Sequence, residues 1–262
     1  MSAPDMGGTV VIKWGGGLIT EKSQLCTINQ TVVDSLADVC SKSDKRLVIV
    51  HGAGSYGHLK SKEFRLAEGN IESLDQDSAV SEVRSDMLKL NGIVLESLRN
   101  KGIDARSYPP HTWANGVGAT FKGKLPLHDG VTVVYGDVVD DTSTDFGILS
   151  GDDLMYRYAT EIPGVERAIF AIGEVDGILR VPPSRASSED LIEVWSPDME
   201  FEGEHASAID VTGGIGLKAQ RGAMIAEKGV DVIIVNGEYP QRVLDAIHGK
   251  SVVGTKIVSG NC

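Results

Sequence analysis

Cysteine is scarce: Cys26, Cys40 and Cys262 are the only three in 262 residues, and none falls in a CxxC spacing. That pattern offers neither a disulfide framework nor the ligands of a zinc site, and it suits reduced thiols in a cytoplasmic protein. Positive charge is scarce too. With 25 Lys and Arg against 37 Asp and Glu, the formal net charge is -12, which disfavours nonspecific attraction to nucleic acid or anionic lipid. No apolar run reaches the roughly 18 residues of a membrane span. The opening MSAPDMGG is small and polar, so it does not read as a signal peptide. The expectation is a cytoplasmic protein without nucleic-acid or membrane partners, in which an anion site has to be built from a few well-placed cations.

What the chain does have is a recurring pattern. Short apolar runs at 9–14 (TVVIKW), 46–52 (RLVIVHG), 131–137 (VTVVYGD), 167–173 (RAIFAIG) and 231–237 (DVIIVNG) alternate with amphipathic stretches at 28–40, 78–100, 151–161, 216–228 and 240–248. Near-continuous β-branched runs are the mark of strands covered on both faces. The alternation predicts an α/β fold, a three-layer αβα sandwich around a mainly parallel sheet. Gly102 and Gly229 stand where helix stops are expected. Residues 113–126 and 181–204 read as hairpin or loop. One folded unit over 1–258 is expected, with two lobes, 1–163 and 164–258.

Glycine-bearing segments follow the predicted elements: Lys13 to Gly17, Gly52 to His58, Ser150 to Asp153, Glu174 to Gly177 and Asp210 to Lys218. Glycine after a strand lets backbone N–H groups approach a phosphate, and several such turns at strand C-terminal ends are what a shared polyphosphate crevice requires. Two local matches mislead. Gly52-Ala-Gly-Ser-Tyr-Gly57 fits G-x-G-x-x-G, but the polar, unperiodic stretch after it does not suit a dinucleotide-binding unit. Gly118 to Lys124 has P-loop spacing but is followed by Leu125 and Pro126, so it reads as a hairpin tip.

The blocks KWGGGLITEK (13–22), HGAGSYGH (51–58), YGD (135–137), ILSGDD (148–153) and DVTGGIGLK (210–218) resemble, in order and spacing, the signatures of the amino acid kinase superfamily, across nearly the whole chain. Within it, the GSYGH ending and the SGDD and DVTGG blocks resemble the isopentenyl phosphate kinases most, with the fosfomycin resistance kinases as near relatives. The resemblance implies an open sandwich of about eight strands, ATP over the C-terminal lobe, a phosphate-monoester acceptor over the N-terminal lobe, Mg²⁺ held mainly by the ATP phosphates rather than by a protein metal site, and a homodimer.

The same resemblance implies roles for single residues. Lys13, Lys22 and Lys218 reach the phosphates, and Asp152 orients those lysines; Asp153 reads equally as an acid at a helix start. Gly15, Gly16, Gly17, Gly54 and Gly214 approach the nucleotide, with Glu174 and Asp176 beside it. Ala53, Gly54, Gly151 and His58 hold the acceptor. His58 bonds its phosphate, whereas His51 reads as structural. Of the helical stripe Val80, Val83, Met87, Leu90, Val94 and Leu98, most is core, and Val83 and Met87 are expected to line a prenyl pocket.

Departures from the family pattern lie mostly on the nucleotide side: Gly17 where serine is usual, Trp14 where a small aliphatic residue is usual, and Gly173-Glu174-Val175-Asp176-Gly177 where an acid-rich TDVDG is usual. Ala53, where glycine is common, narrows the room over the acceptor phosphate. The competing readings are a same-fold kinase acting on a phosphonate or a carboxylate, and a catalytically silent nucleotide-binding sensor. His58 argues against the carboxylate; the joint presence of Lys13, Lys22, His58, Asp152 and Lys218 argues against the sensor.

Overall fold

The computed structural model describes residues 7–21, 23–199 and 214–260. The chain begins with β1 (Gly7–Trp14), α1 (Gly16–Ile19), α2 (Gln30–Ser41), β2 (Lys45–His51), α3 (His58–Glu63) and α4 (Gln76–Asn100). It continues through β3 (Ala105–Ser107), β4 (Val131–Tyr135), β5 (Asp137–Asp141), β6 (Asp145–Leu149), α5 (Gly151–Glu161), β7 (Val165–Ile172) and β8 (Val194–Trp195). It ends with α6 (Gly214–Ala226), β9 (Asp231–Asn236), α7 (Pro240–Ile247) and β10 (Thr255–Ile257).

Eight of these strands form one sheet in the order β3-β4-β2-β1-β7-β9-β10-β8, with every neighbouring pair parallel except β9 and β10. The expected mainly parallel sheet of about eight strands is therefore present. β1 pairs directly with β7, so the sheet is continuous past Pro163. β5 and β6 form a separate antiparallel hairpin.

The period of two along β1 assigns its faces. Val10, Ile12 and Trp14 enter a core shared with Leu36 of α2, Leu90 of α4 and Ile247 of α7. Val11 enters the opposite core with Leu154 and Met155 of α5 and Ala219 of α6. Helices thus cover both faces, which is why the strands carry apolar side chains throughout. Two consequences follow for the site. Trp14 is wholly buried under the α2, α4 and α7 layer, its ring packed there while its indole N–H finds no acceptor among the described residues. Lys13, two residues after Val11, faces α5.

The strand read at 131–137 breaks at Gly136, where a side chain would come within 3.3 Å of the Gly151 amide. β4 stops at Tyr135, and Asp137 opens the hairpin. Gly102 and Gly229 stop α4 and α6 in the left-handed conformation, φ 76° and 81°. Asn115 and Lys122 form an antiparallel bridge, so the decoy P-loop is a hairpin tip.

Candidate active site

The C-terminal ends of β1, β2 and β7 deliver their glycine loops to one cleft, with a cavity volume of about 200 Å³. Two loops interlock. A side-chain carbon on Gly16 would lie 2.3 Å from the Gly54 amide nitrogen, and one on Gly52 would lie 2.4 Å from that of Gly16. Glycine is needed there for backbone to touch backbone. Gly54 itself has φ 49° and packs behind Gly16 rather than among the lining residues. The Gly15 amide donates to Ala171 O at 2.9 Å. Gly15 lines the cleft, but its N–H extends the pairing of β1 with β7 and is taken up there rather than offered to a phosphate.

The floor is cationic. Lys13 Nζ stands 2.5 Å from Asp152 Oδ1 and Lys218 Nζ 3.5 Å from Asp152 Oδ2. Lys13 is almost wholly buried and Asp152 completely so. Ser150 fixes the carboxylate's place by capping α5, its Oγ accepting from the Asp152 amide at 3.1 Å. Gly151 leaves room for the lysine stem, since a side chain there would meet Lys13 Cε at 3.2 Å. Burying such ions costs desolvation that an apolar replacement would avoid. The trio makes sense where lysines must be aimed at a ligand.

Asp153 has a partner of its own, Arg221 Nε at 2.6 Å. Burial pushes its carboxyl up, while Arg221 opposes the shift. The two adjacent acids of α5 thus face Lys218, which donates to Gly214 O at 3.1 Å and pairs with Asp152 at 3.5 Å, and Arg221, three residues on along α6. Arg221 had no signal in the sequence, because an arginine on an amphipathic helix looks like any solvated one.

On one side of the floor His58 opens α3, and Ala53, Gly57 and Ser61 line the wall beside it. Lys60 secures α3 to α4 through Glu82 Oε2 and Asp86 Oδ2, both at 2.9 Å. These carboxylates, Glu82 foremost, hold the Lys60 ammonium above the usual lysine range. Val83 and Met87 of α4 line the cleft, together with Val138 and Ile148 of the hairpin. Ser61, Val138 and Ile148 escaped sequence reasoning.

On the other side lie Gly17, Gly173, Glu174, Val175, Pro183 and Gly214. Glu174 adopts φ 71°, and its amide donates to Glu238 Oε1 at 3.2 Å. Asp176 is not among the lining residues; it accepts from Arg242 Nη1 at 2.6 Å and Asn236 Nδ2 at 3.2 Å. Lys22 lies outside the described residues.

His51 is fully buried, stacked on Tyr135 with ring centroids 4.9 Å apart, its nitrogens beside Gly52 O and Asn91 Oδ1. Burial pushes its pKa down to about 4. The imidazole stays neutral and structural. Because the unfolded chain takes up this proton near pH 6.5 and the folded one does not, stability contributed at neutral pH is lost as pH falls from about 6.5 towards 4. The loss is about 3 kcal/mol by pH 4. Denaturant titrations between pH 7 and 4 should show a shallower acid decline in His51→Gln than in the parent; parallel declines would contradict the assignment.

No group of three or more His, Cys, Asp or Glu among the described residues is placed to hold a metal ion, and no described helix is long and apolar enough to cross a membrane.

The profile of the amino acid kinase family matches residues 8–236. The chain is 31% identical to the isopentenyl phosphate kinase of Methanothermobacter thermautotrophicus over 95% of this chain and 98% of that one. It is 31% identical to the isopentenyl phosphate kinase of Thermoplasma acidophilum, over 95% and 99%. Among solved structures, one of isopentenyl phosphate kinase superposes with TM-score 0.80 at 28% identity, covering 95% of this chain and all of the other. A substrate complex of isopentenyl phosphate kinase gives TM-score 0.77 at 27% identity, covering 95% and 99%.

Proposed function

The chain belongs to the amino acid kinase family, and from that premise we propose that it transfers the γ-phosphoryl group of ATP to the phosphate of isopentenyl phosphate, giving isopentenyl diphosphate and ADP. The observation that carries this is the geometry of the floor: Lys13 and Lys218 converge on one buried carboxylate, Asp152. His58 lies to one side of it with an apolar recess, and a glycine-lined wall lies to the other.

In this reading the acceptor phosphate binds at His58, with its tail between α4 and the β5–β6 hairpin. The ATP phosphates run past Gly16, Gly17 and Gly214 to Lys218, with Glu174 beside the nucleotide; Asp176, tied to Arg242, shapes the loop that carries it. The acceptor needs no general base, since a phosphate monoester with a second pKa of about 6 is largely a dianion at neutral pH. One of its oxygens attacks the γ-phosphorus in line, the bond to the bridging β-oxygen breaks, and ADP leaves with that electron pair. Lys13, between the two sites, neutralises charge on the transferring group, helped by Lys22. Asp152 is a positioning residue that keeps both ammonium groups aimed.

The cleft presents cations and amides rather than a carboxylate cage, so Mg²⁺ fits as an ion carried by ATP. When bound it would supply charge neutralisation to the ATP phosphates. The proposal includes a cytoplasmic homodimer. Free Cys26 and Cys40 suit a reducing compartment, and half-exposed Leu88 beside Gly92 on the outer side of α4 suits packing against a second copy.

Lys218→Ala is expected to raise the KM for ATP about tenfold while changing that for the acceptor little, as befits the loss of one charged contact to the donor. Titrations in which acceptor binding suffers more would reverse the assignment of the two sides. The reading as a whole is tested by ADP release with Mg·ATP and isopentenyl phosphate, dimethylallyl phosphate, fosfomycin or glutamate. Turnover confined to the prenyl phosphates is expected; turnover of fosfomycin or glutamate alone would replace the acceptor.

A further inference from the structure

The acceptor recess has walls of different build. One is α4, a 25-residue helix packed into the core, which contributes Val83 and Met87. The other is the hairpin outside the main sheet, where Val138 and Ile148 are direct cross-strand partners and line the cleft together. A side group of two strands lacks the support of neighbouring strands; it rests on α4 through Val138 and Phe146, which share a core cluster with Val83 and Met87, and is placed further by polar ties. Asn70 holds the turn end, its Nδ2 donating to Asp145 Oδ2 at 2.7 Å and its amide to Thr144 O at 3.0 Å. Gly116 N donates to Asp140 O at 2.8 Å.

Beside that apolar contact, Arg84, next in sequence to Val83, ties the hairpin to α4 by hydrogen bonds. Its Nε donates to Val138 O at 2.8 Å and its Nη2 to Asp140 Oδ1 at 2.9 Å. One side chain thus links the backbone of a lining residue on one wall to the helix that forms the other. Its fork is planar and its bonds diverge, so it sets a distance as well as an attraction.

We propose that Arg84 determines acceptor specificity. By fixing the separation between Val83 and Met87 on α4 and Val138 and Ile148 on the hairpin, it confines the recess to a short, branched apolar tail and excludes longer ones. The inference rests on the acceptor reading above. Arg84 touches no substrate in this account and acts through Val138, as a positioning residue.

The test compares kcat/KM for isopentenyl phosphate and geranyl phosphate in the full-length protein, Arg84→Met, Arg84→Lys and Asp140→Asn. Arg84→Met keeps the stem but loses both bonds. The ratio should shift towards geranyl phosphate by roughly tenfold, the size of discrimination that one or two methylenes command in an apolar pocket. Arg84→Lys, which can reach Asp140 but cannot reproduce the fork, should shift less, and Asp140→Asn least. A purely structural role for Arg84 would lower the melting temperature and leave the ratio where it was; an unmoved ratio in the variants, with prenyl phosphate turnover intact in the parent, overturns this inference alone. If Arg84→Met does not fold, Arg84→Lys decides by the same criterion. Absence of prenyl phosphate turnover in the parent overturns the acceptor reading, and this inference with it.

Discussion

Lys13→Met should lower kcat about a thousandfold, the scale on which a charged group acting on a transferring phosphoryl is felt, or about 4 kcal/mol in the barrier. Methionine keeps the length and apolar stem that pass Gly151 but carries no ammonium. KM for either substrate should move little, because the residues proposed to bind donor and acceptor, Lys218 and His58, remain. The fold should also be weakened, since removal of one partner from a buried ion pair typically costs about 3–5 kcal/mol. Here the cost is softened by Lys218, 3.5 Å from the other oxygen of Asp152. Rapid-quench measurement on protein shown to be folded by calorimetry separates the two effects. A kcat within about tenfold of the parent would remove Lys13 from the chemistry.

His58→Gln should cut kcat/KM for the acceptor about a hundredfold, the worth of a hydrogen bond to a charged group, and leave ATP binding unchanged. Glutamine keeps a donor but not the reach and rigidity of the ring, and His58→Ala should lose at least as much. α3 should survive both changes, because its attachment to α4 runs through Lys60 to Glu82 and Asp86. Isothermal titration with a nonhydrolysable ATP analogue, beside steady-state kinetics, gives both quantities. An undiminished kcat/KM would sink the role, and loss of ATP binding would move His58 to the donor side.

What the sequence made legible follows from how local each signal is. β1, β2, β4, β7 and β9 announce themselves as apolar runs because helices bury both their faces. Lys13 and Asp152 stood out because the blocks that carry them, KWGGGLITEK and ILSGDD, resemble the family's signatures. The β5–β6 hairpin did not. Three of the five residues of DVVDD (137–141) are acidic, and Gly136 breaks it from β4. Consequently Val138, Ile148 and the Arg84 tie went unseen. α3 is a single short helix with no room for a period. Asp176 shows the opposite failure. Its motif pointed to the nucleotide, whereas its carboxylate is held by Asn236 and Arg242, partners sixty residues on that only the tertiary fold brings together. The glycines were read as phosphate cradles. Gly16 and Gly52 also prove to be the contact between two loops, a demand that no local pattern distinguishes from the first.

The central claim is that one phosphoryl group crosses from ATP to an acceptor phosphate over Lys13, and phosphorus NMR of a single reaction mixture tests it most directly. With Mg·ATP and isopentenyl phosphate, the account predicts that the acceptor's monophosphate resonance is replaced by a pair of mutually coupled diphosphate resonances, in step with the appearance of ADP. ADP accompanied by inorganic phosphate, with the monophosphate resonance unchanged, would contradict it, because the γ-phosphoryl group would then be passing to water.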